Sequence, residues 1–89
     1  MGLKLCLSYG CVELDTSSVD PRILNNELKE LRRFEEMCDN AYYGYSISSL
    51  QRFLRDQCYD IYIKNTVRSL LRHGAKVISS DIPISELQW

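Results

Sequence analysis

The chain is poor in the residues that most often carry chemistry. It has one histidine, His73, and no dense group of acids, which leaves little material for general acid–base catalysis. Its four cysteines include no C-x-x-C pair, and only one imidazole is available to join them, so the common zinc arrangements are excluded. Its four glycines form no phosphate-cradling loop. The longest run without a charge, Asn40 to Gln51, is polar and tyrosine-rich, so no membrane-spanning helix is expected. The first residues lack a basic region followed by an apolar run and a small-residue cleavage site. No secretory signal is expected, and a cytoplasmic location follows as the default. The formal charge of −1 is far from that of a committed nucleic-acid binder.

What is present is ordinary for a globular fold. The 89 residues are 45% hydrophobic and 26% charged, which suits one domain over residues 1–89 and argues against disorder. Leu3, Leu5, Leu7 and Tyr9 alternate with Lys4, Cys6 and Ser8, the period of a half-buried strand. Gly10 interrupts it. Cys11 to Leu14 either continue that strand past a bulge or begin a second one.

Asp20-Pro21 opens a helix, with the aspartate placed to cap free N–H groups and the proline at the first helical position. Leu24, Leu28, Leu31, Phe34 or Glu35, Cys38 and Tyr42 form its apolar stripe, and Gly44 is a natural terminator. A second helix is expected from Ser46–Ser48, where Ser48 and Gln51 have capping-box spacing. Ile47, Leu50, Leu54, Cys58 and Ile61 share one face, whereas Ile63, Val67, Leu70 and Leu71 point about 180° away. Either the helix breaks near Asn65 or it lies between two layers, and a break is the favoured expectation. Gly74 ends this region, Lys76 to Ser79 read as a strand, and Pro83 confines any pairing around Ile82 and Ile84 to an edge. Ser85 and Glu86 open a closing turn before Leu87. The expected class is α+β: a small single domain with an N-terminal strand, two or three helices and a C-terminal strand (β-α-α-β), the helices packed on one face of a small sheet.

Cys6 and Cys11 would face opposite ways in one continuous strand, and Cys38 and Cys58 fall on apolar helical stripes. The expected state is buried, reduced thiols, with a Cys38–Cys58 crosslink as the alternative. No metal and no cofactor are expected.

An enzyme is not expected. His73 stands at a helix C-terminus, whose dipole favours the protonated ring over a base. Glu27, Glu30, Glu35 and Glu36 interleave with Lys29, Arg32 and Arg33 as a solvated helix face. Residues 52–76 hold six basic and two acidic residues, so Arg52, Arg55, Arg68 and Arg72 outline an alternative nucleic-acid surface. Tyrosine is the most unusual feature, six in all, with Tyr42, Tyr43 and Tyr45 crowded at the turn between the helices. Tyrosine is enriched at protein interfaces, so Tyr43 and Tyr45 are the expected anchors for a protein partner, with Glu35, Glu36 and Asp39 facing a basic surface. A homodimer formed through a helix face is a further alternative.

Two stretches resemble known families. Val67 to Val77 is similar to the second helix and turn of an ankyrin repeat, over eleven residues and without the Thr-Pro-Leu-His opening. Met-Gly-Leu-Lys-Leu-Cys-Leu-Ser-Tyr resembles the opening of the immunity proteins of ribosome-cutting nuclease colicins and cloacin, which also end in tryptophan, as here at Trp89. That resemblance covers residues 1–9 and the last residue, and no matching motif carries the family's binding residues onto this chain. It implies a role as a small protein that neutralises a toxin, such as a nuclease domain, by direct binding.

Overall fold

A computed structural model describes residues 2–42 and 49–87. Strands β1 (Gly2–Leu7) and β2 (Gly10–Asp15) are followed by helices α1 (Pro21–Tyr42) and α2 (Ser49–Arg72). Strand β3 (Lys76–Ser80) and the short α3 (Ile84–Leu87) complete the order. The class is α+β, as expected, with one strand more than the β-α-α-β reading: Cys11 to Leu14 begin a second strand. Tyr9 leaves the strand and joins Ser8 in a two-residue turn.

The sheet is antiparallel with β2 in the middle. Leu3 pairs with Leu14, Leu5 with Val12 and Leu7 with Gly10, so the alternating leucines and the apolar residues of β2 share one face. Lys4 opposite Glu13 and Cys6 opposite Cys11 occupy the other. Glu13 pairs with Ser79 but Leu14 with Val77, leaving Ile78 as an extra residue in β3. That bulge explains why an isoleucine in a strand is exposed.

Both ends of the helical segment obey local chemistry. The Asp20 Oδ1 accepts the Arg22 N–H at 2.9 Å, and the Asp20 carbonyl accepts that of Leu24 at 2.9 Å. At the far end Ala75 N–H donates to the Leu70 carbonyl at 3.0 Å and Gly74 N–H to that of Leu71 at 3.3 Å. This is the Schellman pattern, with Leu70 and Ala75 both buried in the core cluster. It requires a left-handed residue, and Gly74 has φ 104°.

Helix α2 does not break near Asn65; it is continuous over 24 residues. Its buried residues, Ile63, Thr66, Val67 and Leu70, all lie in its second half. They meet Leu7, Val12 and Leu14 from the sheet and Leu31 from α1, with Ile82 and Leu87 closing the core. The conflict between the two apolar faces is resolved by leaving part of one uncovered: Leu50, Leu54 and Ile61 stay exposed, as does Phe53 at its flank. A 24-residue helix reaches about 36 Å, whereas a six-residue strand spans about 20 Å, so the sheet is too short to support all of α2. The helical pair therefore projects beyond the sheet as an arm. The molecule measures 43 × 27 × 22 Å with a radius of gyration of 13.9 Å, above the roughly 12 Å of a compact chain this long.

All four cysteines are paired, which corrects the expectation of reduced thiols. Cys38 bonds Cys58, and Cys6 bonds Cys11 across β1 and β2. The opposite-face argument applied to a single continuous strand. The turn at Ser8-Tyr9 instead places residues five apart directly opposite each other.

Candidate functional site

The arm is built from a repeated match between its two helices. On α1 the residues Glu27, Phe34 and Cys38 step by seven and four, and on α2 their partners Ser69, Tyr62 and Cys58 step back by the same intervals. Ser69 Oγ donates to Glu27 Oε1 at 2.7 Å, nearest the sheet. The rings of Phe34 and Tyr62 stack with centroids 4.3 Å apart and planes 1° from parallel. The Cys38–Cys58 disulfide follows, and the Tyr59 hydroxyl donates to Asp39 Oδ1 beside it. Seven-and-four spacing keeps side chains in one seam between antiparallel helices. The crosslink sits where the sheet no longer supports the pair.

A second set of contacts fixes the β1–β2 turn against α2. Asp60 accepts from Ser8 twice, through the backbone N–H at 2.9 Å and the hydroxyl at 2.5 Å. One turn further along α2, the Lys64 ammonium lies 5.3 Å from the centre of the Tyr9 ring. Hydrogen bonding to the Tyr9 hydroxyl holds the Lys64 pKa above its ordinary value. That hydroxyl also donates to Glu86 Oε2 at 3.4 Å.

Between the hairpin turn and the underside of the arm lies an open cleft of about 430 Å³. Glu35 from α1 and Asp56 and Asp60 from α2 line it, together with Ser8 and Tyr59. Among the described residues no lysine or arginine lines this cleft. An acidic notch thus lies on the sheet side of the arm, and the apolar stripe of α2 lies on the other.

Of the residues expected to bind a partner, Glu35 is in this notch. Glu36 is exposed on the outer face of α1, bordering Arg32, Arg33 and Lys29. Asp39 is half-buried and occupied by Tyr59. Tyr43, Tyr45, Gly44 and Ser48 lie outside the described residues. Sequence reasoning passed over Asp56 and Asp60, which were counted only against the surrounding cations. Their spacing of four, which places both on one face of a helix, was the available signal.

The four arginines of the alternative nucleic-acid surface are spread around α2. At 100° per residue, Arg52 and Arg68 point in opposite directions. The Arg55 guanidinium lies 6.0 Å from the centre of the Tyr59 ring. Arg68 Nη2 donates to the Glu86 carbonyl at 2.8 Å, and Arg72 is exposed at the end of the helix. His73 is exposed, with Nδ1 2.8 Å from the Ser69 carbonyl oxygen. Among the described residues, no group of three or more histidine, cysteine or acidic side chains has the geometry to hold a metal ion. No helix among them is long and apolar enough to cross a membrane. Compared with protein-family models, curated proteins and solved structures, the chain matches none.

Proposed function

We propose that this protein is a non-enzymatic protein-binding module whose docking element is the projecting helical arm. The observation that carries this reading is an arm braced by a disulfide, a ring stack and hydrogen bonds while large apolar side chains stand uncovered on it. A rigid element that exposes apolar residues lowers the ordering cost of association. In the specific form suggested by the resemblance at residues 1–9, it is an immunity-like inhibitor. The notch carboxylates Glu35, Asp56 and Asp60 then receive a basic segment of a toxin domain and block its active site. Complementary charge of this kind speeds encounter and fixes register.

The cytoplasmic expectation rested on the lack of a secretory signal and agreed with reduced thiols. With both pairs joined, this reading places the protein in an oxidising compartment, or on the way to one, where disulfides persist.

The test is a binding titration between the oxidised protein and any toxin domain that a neighbouring gene encodes. Reversing a rim charge acts mainly on association, so Glu35→Lys combined with Asp56→Lys should lower the on-rate about tenfold and flatten its salt dependence. Absence of a complex, or a complex indifferent to both reversals, overturns the inhibitor reading.

A further inference from the structure

Helix α2 carries two seams, and only one is filled. Cys58, Tyr62 and Ser69 face α1. About 100° around the helix, Leu50, Leu54, Gln57 and Ile61 form a second row spaced four, three and four apart, the spacing of a helix–helix seam. Its apolar members are 66%, 36% and 59% exposed, and Phe53 beside them is 57% exposed. Met37 of α1, 52% exposed, follows Asn26 and Glu30 at helical spacing along the edge of α1 that borders this side of α2. A helix with two adjacent seams is designed for two helical neighbours. The other long helix among the described residues is already committed, which leaves this row open to a helix of another molecule.

The geometry points to a second copy of this chain as that neighbour, joined by antiparallel packing of α2 on α2 about a two-fold axis. The reading rests on the protein-binding role proposed above and names the occupant of the stripe. Spacing of four, three and four is the same read in either direction. An antiparallel copy therefore sets Leu50 against Ile61 and Leu54 against Gln57, and repeats both contacts through the two-fold axis, as an isologous interface requires. The area agrees. Five side chains offering roughly 100 Å² of apolar surface apiece give about 500 Å² per copy and about 1,000 Å² in all, the lower bound for a specific interface. An interface at this lower bound suits a reversible dimer rather than an obligate one. Gln57 is the one polar member of the row. A polar residue in such a seam sets register at a cost in affinity.

The experiment is sedimentation velocity on the oxidised protein from about 1 to about 500 µM, with circular dichroism as a check on folding. The wild type should pass from monomer to dimer across this range. Leu54→Lys should remain monomeric at every concentration with an unchanged helical spectrum. Gln57→Leu should dimerise at least tenfold more tightly, and this gain cannot arise from failure to fold. A wild type that stays monomeric while Gln57→Leu changes nothing overturns the proposal, as does a dimer unaffected by Leu54→Lys. If the protein is monomeric and Leu54→Lys weakens its complex with a toxin domain, the stripe belongs to that partner. The second copy is then refuted while the protein-binding role stands.

Discussion

Separating the two disulfides by stability tests the view that the arm depends on its crosslink. The Cys38–Cys58 bond spans a sequence separation of 20 and the Cys6–Cys11 bond one of 5. In the chain-entropy description, closing these loops restricts the unfolded state by about 3.3 and about 2.1 kcal/mol respectively. A chain of this length is held by roughly 4–13 kcal/mol in total, so the larger contribution is a substantial part of it. The clean measurement avoids deleting the buried Cys38 sulfur, which would add a cavity cost. The variant Cys6→Ala with Cys11→Ala retains only the arm crosslink, and comparing its oxidised and reduced forms in urea isolates that bond. Its midpoint should fall by about 2 M on reduction. The reciprocal comparison, in Cys38→Ala with Cys58→Ala, should show a smaller shift.

The placement of the arm adds a spatial expectation. On reduction, amide protection should fall first in the last turns of α1 and the first turns of α2, which lack support from the sheet, while β2 and the second half of α2 hold. If reducing Cys38–Cys58 costs less than about 1 kcal/mol, or if protection fails first in the sheet, the arm does not depend on its crosslink and the argument is wrong.

Two further predictions concern the scaffold. Gly74→Ala forces a side chain onto a residue with φ 104° and brings its Cβ to 3.3 Å from the Ser18 carbonyl oxygen, so it should cost about 1–2 kcal/mol by thermal unfolding. An unchanged melting temperature would contradict the Schellman closure. Asp15 accepts the Ser17 N–H at 3.0 Å, and this bond holds its pKa below 3.8 in the folded state. A depressed carboxylate contributes stability above its unfolded pKa and loses that contribution as pH falls through its folded value. Acid unfolding of the wild type should therefore steepen below about pH 4, and Asp15→Asn should be flatter over that window; identical slopes would refute the assignment.

Much of the fold was legible in the chain because its causes are local. Asp20-Pro21 opens α1, Gly74 closes α2, the leucine alternation marks β1, and the three-and-four stripe from Leu24 to Cys38 predicts the buried side of α1. The failures share a different origin. The second strand is not fixed by the sequence because Ser8-Tyr9 carries none of the usual two-residue hairpin signals, and among the described residues no residue other than glycine has a positive φ. A break at Asn65 follows only if both apolar faces of one helix need burial within one chain, and here they do not. The acidic notch is partly visible in the sequence through Glu35, but its other walls, Asp56 and Asp60, come from a segment whose net positive charge conceals the direction in which its acids point.

Capping chemistry, backbone permissiveness at glycine and the periodicity of apolar residues act over a few positions, so linear order alone settles the class of fold and both ends of the helical segment. Cysteine pairing and the exposure of Leu50, Phe53, Leu54 and Ile61 were decided only in three dimensions. The first depends on which residues a turn brings face to face. The second depends on how far a short sheet reaches beneath a long helix, and neither distance is written in the spacing of the residues themselves.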